Sequence, residues 1–217
     1  MNRLLLPIVA CLLVSCGGGD SEPLRHDSGV YMLLDTSGTY TQELEKAQQI
    51  INFTLSKLEP GDSFAVARID TGSFSEKDIV AKVTFDDRPS TANGQKRQFR
   101  DQINHFVTKV KPAAYTDITG GLLQAIEYLN EKNPGRKIIL IFSDLKEDLQ
   151  AGYVRNIPLQ FEGVSVVALN VTKLRSDNID PRQYLDRLEA WKSRVESGGG
   201  IWRVINDLDH LEKLIDS

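Results

Sequence analysis

Cysteine is almost absent from this sequence, with two in 217 residues, Cys11 and Cys16. That scarcity excludes a disulfide framework and a cysteine-rich zinc site. The three histidines, His26, His105 and His210, are scattered and show no zinc spacing. A basic excess is missing as well: 26 Lys and Arg against 30 Asp and Glu give a formal net charge of −4. A chain this acidic lacks the electrostatic footprint of a nucleic-acid-binding protein. No apolar run is long enough to span a bilayer, which takes about 20 residues. There is no GxSxG elbow for a serine hydrolase, no internal repeat, and no low-complexity segment outside a short stretch after Cys16. What remains is the composition of an ordinary globular protein, 41% hydrophobic, 26% charged and 7% aromatic. Its length fits one domain or two small ones.

The N-terminus reads as an address rather than as structure. Arg3 supplies a positive n-region, and residues 4–14 form a short apolar h-region. The segment ends in Leu13-Val14-Ser15-Cys16, which resembles a bacterial lipobox, and this implies that residues 1–15 are removed and Cys16 is lipidated. Cys11 leaves with the signal segment, so the mature chain holds neither a free thiol nor a disulfide. Losing Arg3 and no acid leaves 25 basic against 30 acidic residues, a net charge of −5. In the Gram-negative lipoprotein pattern, the lack of Asp directly after Cys16 implies the outer membrane, on the periplasmic side. Residues 16–28 are small and polar with no apolar period, and read as a flexible tether.

From residue 29 onward, strand and helix signals alternate. Residues 29–35 are apolar on both faces, as a central parallel strand requires. Residues 41–58 carry Leu44, Ala47, Ile51, Leu55 and Leu58 at helical spacing, and Glu59-Pro60-Gly61-Asp62 closes them as a turn. Residues 63–70 read as a second strand. Residues 79–85 read as an edge strand with one wet face. Residues 86–94 read as a loop, followed by helices over 96–110 and 118–133, the second opened by Asp117 as its N-cap. The most apolar strand covers 137–143, and a fifth covers 165–171. Asp180-Pro181 opens another helix, with Tyr184, Leu188, Trp191 and Val195 on one stripe. A last strand over 201–205 and a helix over 208–215, capped by Asp207, end the chain. Six strands with about six helices predict an α/β domain: a doubly wound, mostly parallel six-stranded sheet, Rossmann-like, with helices on both faces. Ligands bind such sheets at the carboxyl ends of strands where the strand order reverses.

Three stretches carry oxygen donors to that edge. In VYMLLDTSGTY, residues 30–40, an apolar run stops at Asp35, and Ser37 and Thr39 follow at alternate positions. Thr116 stands in AAYTDITGG, just before a helix. Asp144 ends the apolar run KIILIFSD. Hard oxygens converging on one point suit a small divalent cation. Two carboxylates held close without a cation repel each other, and a dication removes that conflict. Taken singly, each stretch also fits a turn or a helix cap. Lys146, Glu147 and Asp148 follow the last of them and read as the rim of the site or as a solvated charge run. The sequon at Asn170–Thr172 falls on a buried strand in a bacterial protein and carries no meaning.

The set Asp35, Ser37, Thr39, Thr116 and Asp144 resembles the metal-ion-dependent adhesion site (MIDAS) of the von Willebrand factor A (VWA) domain, DxSxS…T…D. The resemblance covers residues 29–217. Thr39 stands where the family usually has Ser; it keeps the hydroxyl and adds a methyl group. By resemblance, Ser37 and Thr39 ligate magnesium directly, with manganese or calcium as alternatives, and Thr116, Asp35 and Asp144 bind directly or through water. The expected function is a lipid-anchored cell-envelope domain that binds a protein partner through an Asp or Glu placed on the metal. The alternative is an envelope assembly or regulatory factor whose metal is structural. Specificity is expected in the loops 71–77, 86–94 and 145–152. Enzyme readings are weaker. A haloacid-dehalogenase-like phosphatase needs a second carboxylate where Ser37 stands, so its proton carrier is missing. An aspartic protease needs Gly directly after Thr36 and a second such motif.

Overall fold

The computed structural model of the chain describes residues 26–38, 40–70 and 75–206. The signal segment, Cys16, most of the tether, Thr39 and the expected C-terminal helix lie outside the described residues. The elements run β1 (Ser28–Asp35), α1 (Leu44–Lys57), β2 (Ser63–Ile69), β3 (Ile79–Thr84), α2 (Pro89–Lys109), α3 (Ile118–Lys132), β4 (Arg136–Phe142), β5 (Val164–Leu169), α4 (Arg182–Ser197) and β6 (Ile201–Ile205). Short 3-10 turns at Tyr40–Glu43, Glu76–Asp78 and Ser176–Asn178 complete the described elements; of the about six helices expected, the described residues hold four, and the C-terminal one lies outside them.

The sheet has six strands in the order β3-β2-β1-β4-β5-β6. All neighbours are parallel except β3, which runs antiparallel to β2 along the edge. β1 is buried along its whole length because it lies mid-sheet between helical layers, and its alternate side chains feed two cores. Val30, Met32 and Leu34 join α1 and α2 on one face. Tyr31 and Leu33 join α3 and α4 on the other. Helix α3 lies tight on the sheet: a Cβ added to Gly121 would come 2.5 Å from Ile69 Cγ2 and 3.0 Å from Leu33 Cδ2. Glycine is needed there for close approach.

One element departs from expectation. Residues 89–94 are the first turns of α2 rather than a loop. Pro89 occupies the first or second helical position, where its missing N–H costs nothing, and Ala92 is buried against the core. These residues also lie at the wrong end of the sheet to touch the candidate ligands. Thr84 pairs with Ser63 at the start of β2, and Phe85 N donates to Asp62 O at 2.8 Å. The stretch 86–94 therefore sits at the amino edge of the parallel strands, opposite Asp35.

Candidate metal centre

The strand order reverses between β1 and β4, since β1 connects outward to β2 while β4 leads to β5 on the other side. Asp35 ends β1, and Asp144 stands two residues past the end of β4. Both carboxylates are therefore delivered to the crevice at the switch point. Asp35 is fully buried and Asp144 is 5% exposed.

Asp35 is held by neutral donors alone. Its Oδ1 accepts from Ser37 N at 2.8 Å and from Thr116 Oγ1 at 3.5 Å. Its Oδ2 accepts from Ser143 Oγ at 2.7 Å, and Ser143 Oγ in turn accepts from Leu145 N at 3.0 Å. Burial pushes the Asp35 carboxyl above its ordinary range, against the pull of these hydrogen bonds. Burial also raises Asp144; the Lys146 N–H, at 2.8 Å, opposes it, and the Asp35 charge adds to it. Among the described residues, neither carboxylate makes an ion pair.

The loops bearing these groups are stitched together. Ala113 N donates to Thr36 O at 2.7 Å, which ties the Thr116 loop to the turn after β1. Thr116 and Asp148 exchange two backbone hydrogen bonds, at 2.8 and 2.9 Å, which tie it to the loop after β4. Ser37, Thr116 and Asp144 open into one cavity of about 500 Å3, rimmed by Lys146, Asp148 and Arg175. Asp35 lies beneath its floor. Glu147, read from sequence as rim or as part of a solvated charge run, turns away from the cavity: its Oε1 accepts from Thr119 N at 2.6 Å, and Arg194 lies 3.8 Å from its Oε2. Asp117 is the N-cap of α3, accepting from Gly120 N at 2.7 Å, and it also pairs with Arg155 at 2.7 Å.

Three supporting residues escape a sequence reading. Ser143 orients Asp35. Arg187, on α4, donates Nε to Asp144 O at 2.8 Å while its guanidinium is held by Asp177. Trp191 Nε1 donates to Leu145 O at 2.9 Å, holding a buried residue at φ 64°. A serine ending an apolar strand was the one available signal; Arg187 and Trp191 gave none.

The donor set fits a hard dication. No three His, Cys, Asp or Glu side chains gather as a metal cluster among the described residues. The donors here are instead two carboxylates and hydroxyls, an all-oxygen set of the kind magnesium takes with water completing the shell. The two buried carboxylates without a cation partner supply the charge that such an ion would neutralise.

Residues 29–199 match the von Willebrand factor type A domain, and the chain belongs to that family. Among solved structures, the open conformation of the pilus adhesin SpaC from Lactobacillus rhamnosus GG superposes with a TM-score of 0.54 at 10% identity, over 88% of this chain and 29% of that one. The von Willebrand factor type A protein from Catenulispora acidiphila gives 0.53 at 14% identity, over 86% of this chain and 40% of that one. The conserved hypothetical protein BatB from Bacteroides thetaiotaomicron gives 0.45 at 16% identity, over 87% of this chain and 95% of that one. The chain thus spans less than half of SpaC and of the Catenulispora protein, and the likeness at these identities is one of fold. No curated protein matches the chain. VWA domains form an interaction and adhesion family, generally non-enzymatic, whose members often bind divalent metals.

Proposed function

We propose that this chain is a non-enzymatic, lipid-anchored domain of the bacterial cell envelope that binds a protein partner through a divalent metal. The observation that carries the reading is the convergence of Ser37, Thr116 and Asp144 on one open cavity over the buried Asp35. Thr39, which completes the motif, belongs to the proposed ligand set. A dication held by these groups offers an open coordination position to an anionic oxygen, and the cavity leaves room for a partner Asp or Glu to reach it. Asp35 supplies charge from beneath, and Ser143 keeps its second oxygen engaged. Arg187 and the Thr116–Asp148 bridge hold the ligand loops in place before a partner arrives, so less ordering is needed on binding.

Crosslinked capture from envelope extracts tests this reading. A partner carboxylate on a metal is a charge-assisted contact, and losing it costs about 2–5 kcal/mol. Capture is expected in magnesium, lost in EDTA, and strongly weakened by Thr116→Ala with the fold intact. The same partners captured in magnesium and EDTA would show a structural metal site instead, and favour the assembly-factor reading.

The anchor has its own test. Among the described residues no helix is long and apolar enough to cross a membrane, and Cys16 follows the lipobox-like residues. Metabolic palmitate labelling should mark the wild type and spare Cys16→Ala. Equal labelling of the two removes the lipoprotein assignment.

A further inference from the structure

β3 is the outermost strand, and among the described residues nothing pairs with its far edge. Alternate residues of such a strand turn N–H and C=O outward, a template for another strand. Beside this edge, between β3 and α2, runs a groove of about 1100 Å3, roughly twice the volume of the metal cavity at about 500 Å3. Its floor includes Val80, Phe106 and Val110, which are only partly buried against the core beneath. Its rim carries Lys77, Arg97, Lys109 and Lys111, all exposed. None of these four cations makes a side-chain hydrogen bond or ion pair among the described residues. The acids nearby are already matched: Asp78 faces Arg68 at 3.5 Å, and Asp101 faces Arg100 at 3.9 Å. A surplus of unmatched positive charge on a chain of net charge −4 is a local choice, not a compositional accident.

The other face of the same edge has the opposite balance. A depression of about 450 Å3 beside α3 is lined by Glu76, Glu127 and Glu131 together with Ile79 and Tyr128. Its two lysines are engaged, Lys82 with Glu76 at 3.0 Å and Lys132 over the Tyr128 ring.

We propose that the edge of β3 and the β3–α2 groove receive an extended segment of a protein partner, which adds a strand to the sheet and carries acidic side chains at every second position. Side chains of an added strand point alternately to the two faces. Those directed toward α2 meet the four cations. Those directed toward α3 meet Tyr128, Glu127 and Glu131, where an acid is repelled and an apolar side chain is accepted. β3 has six residues, with a break in its register against β2 between Val66 and Ala67, and the groove takes Ile79 and Val80 from it and residues of α2 from Gly94 to Lys109. The occupant is therefore a stretch of about six residues in which acid and apolar alternate. This site lies apart from the metal centre and does not need a divalent ion.

The test uses the full chain and three fluorescent heptapeptides of related composition: Glu-Val-Glu-Val-Glu-Val-Glu, its block isomer Glu-Glu-Glu-Glu-Val-Val-Val, and the lysine analogue of the alternating form. Fluorescence anisotropy should show the alternating acidic peptide binding at least about 10-fold more tightly than either control, more weakly as salt rises, and equally well in EDTA. Backbone N-methylation in the phase whose amides face β3 should abolish binding. Paired Arg97→Glu and Lys109→Glu substitutions, both at exposed positions, should weaken it by about 10-fold or more, with only the small loss of melting temperature that an acid in the last turn of α2 brings. Absence of binding, equal binding of the block isomer, or indifference to N-methylation overturns the proposal. Binding of anionic phosphatidylglycerol vesicles that shares the sensitivity to Arg97→Glu and Lys109→Glu, with no peptide binding, also overturns it and assigns the basic rim to a membrane surface.

Discussion

Magnesium or manganese at about 100-fold above its dissociation constant is expected to stabilise the wild-type chain by about 2.7 kcal/mol. For a domain of this size, that is a rise in melting temperature of roughly 5–10 °C. The ion would bind the folded state, where Asp35, Ser37, Thr116 and Asp144 are gathered, and hardly the unfolded one. Asp35→Asn should abolish the rise. It should also make the metal-free protein more stable at neutral pH, because Asp35 is a buried carboxylate near a second one with no ion pair among the described residues. The sign follows from the direction of the shifts. Both carboxyls are raised in the folded state, so the stability they contribute is full below their unfolded pKa and is lost as pH rises through the folded one. The advantage of Asp35→Asn over wild type in EDTA should therefore be largest near about pH 8 and shrink toward about pH 5. Thermal unfolding across that range reads both effects. No metal-dependent shift at millimolar magnesium or manganese contradicts the site.

Asp117→Ala is expected to be among the most destabilising single changes near the centre. Asp117 is 1% exposed, caps Gly120 N at 2.7 Å, and takes both Nε and Nη2 of Arg155 at 3.0 and 2.7 Å. The Asp117 side chain accordingly raises the Arg155 guanidinium further. Truncation removes the cap, worth about 1 kcal/mol, and leaves a mostly buried guanidinium without its anion. Breaking a buried pair in this way costs about 3–5 kcal/mol, or roughly 6–20 °C in melting temperature. Asp117→Asn keeps the cap oxygen and removes the charge, so its melting temperature should fall between those of the alanine variant and wild type. Because Asp117 follows Thr116, metal affinity should decline in the same order. Equal, near-wild-type stability of both variants would show that the Arg155 pair contributes little.

The fold was legible because β1 and β4 are apolar on both faces, as a buried parallel strand requires, and because turns such as Glu59-Pro60-Gly61-Asp62 punctuate the chain cleanly. Asp35, Thr116 and Asp144 were legible as candidates for a related reason: a polar residue ending an apolar strand or opening a helix marks the edge of such a sheet where ligands bind. The first turns of α2 were not, since Pro89, Ser90, Thr91, Asn93 and Gly94 are turn formers by local preference, and the packing of Ala92 overrides them. Nor were the residues that hold the candidate ligands. Arg187 reaches Asp144 across 43 positions of sequence, and Trp191 sits on a stripe indistinguishable from core. Glu147 belongs to a charge run whose members differ only in which way the loop turns them.

The most direct measurement of the central claim is anomalous diffraction from crystals of the manganese-loaded domain. A single strong peak among the oxygens of Asp35, Ser37, Thr116 and Asp144, lost in Asp35→Asn, is the predicted result. Full manganese loading with the peak elsewhere, or no peak at this position in well-ordered crystals, would contradict it.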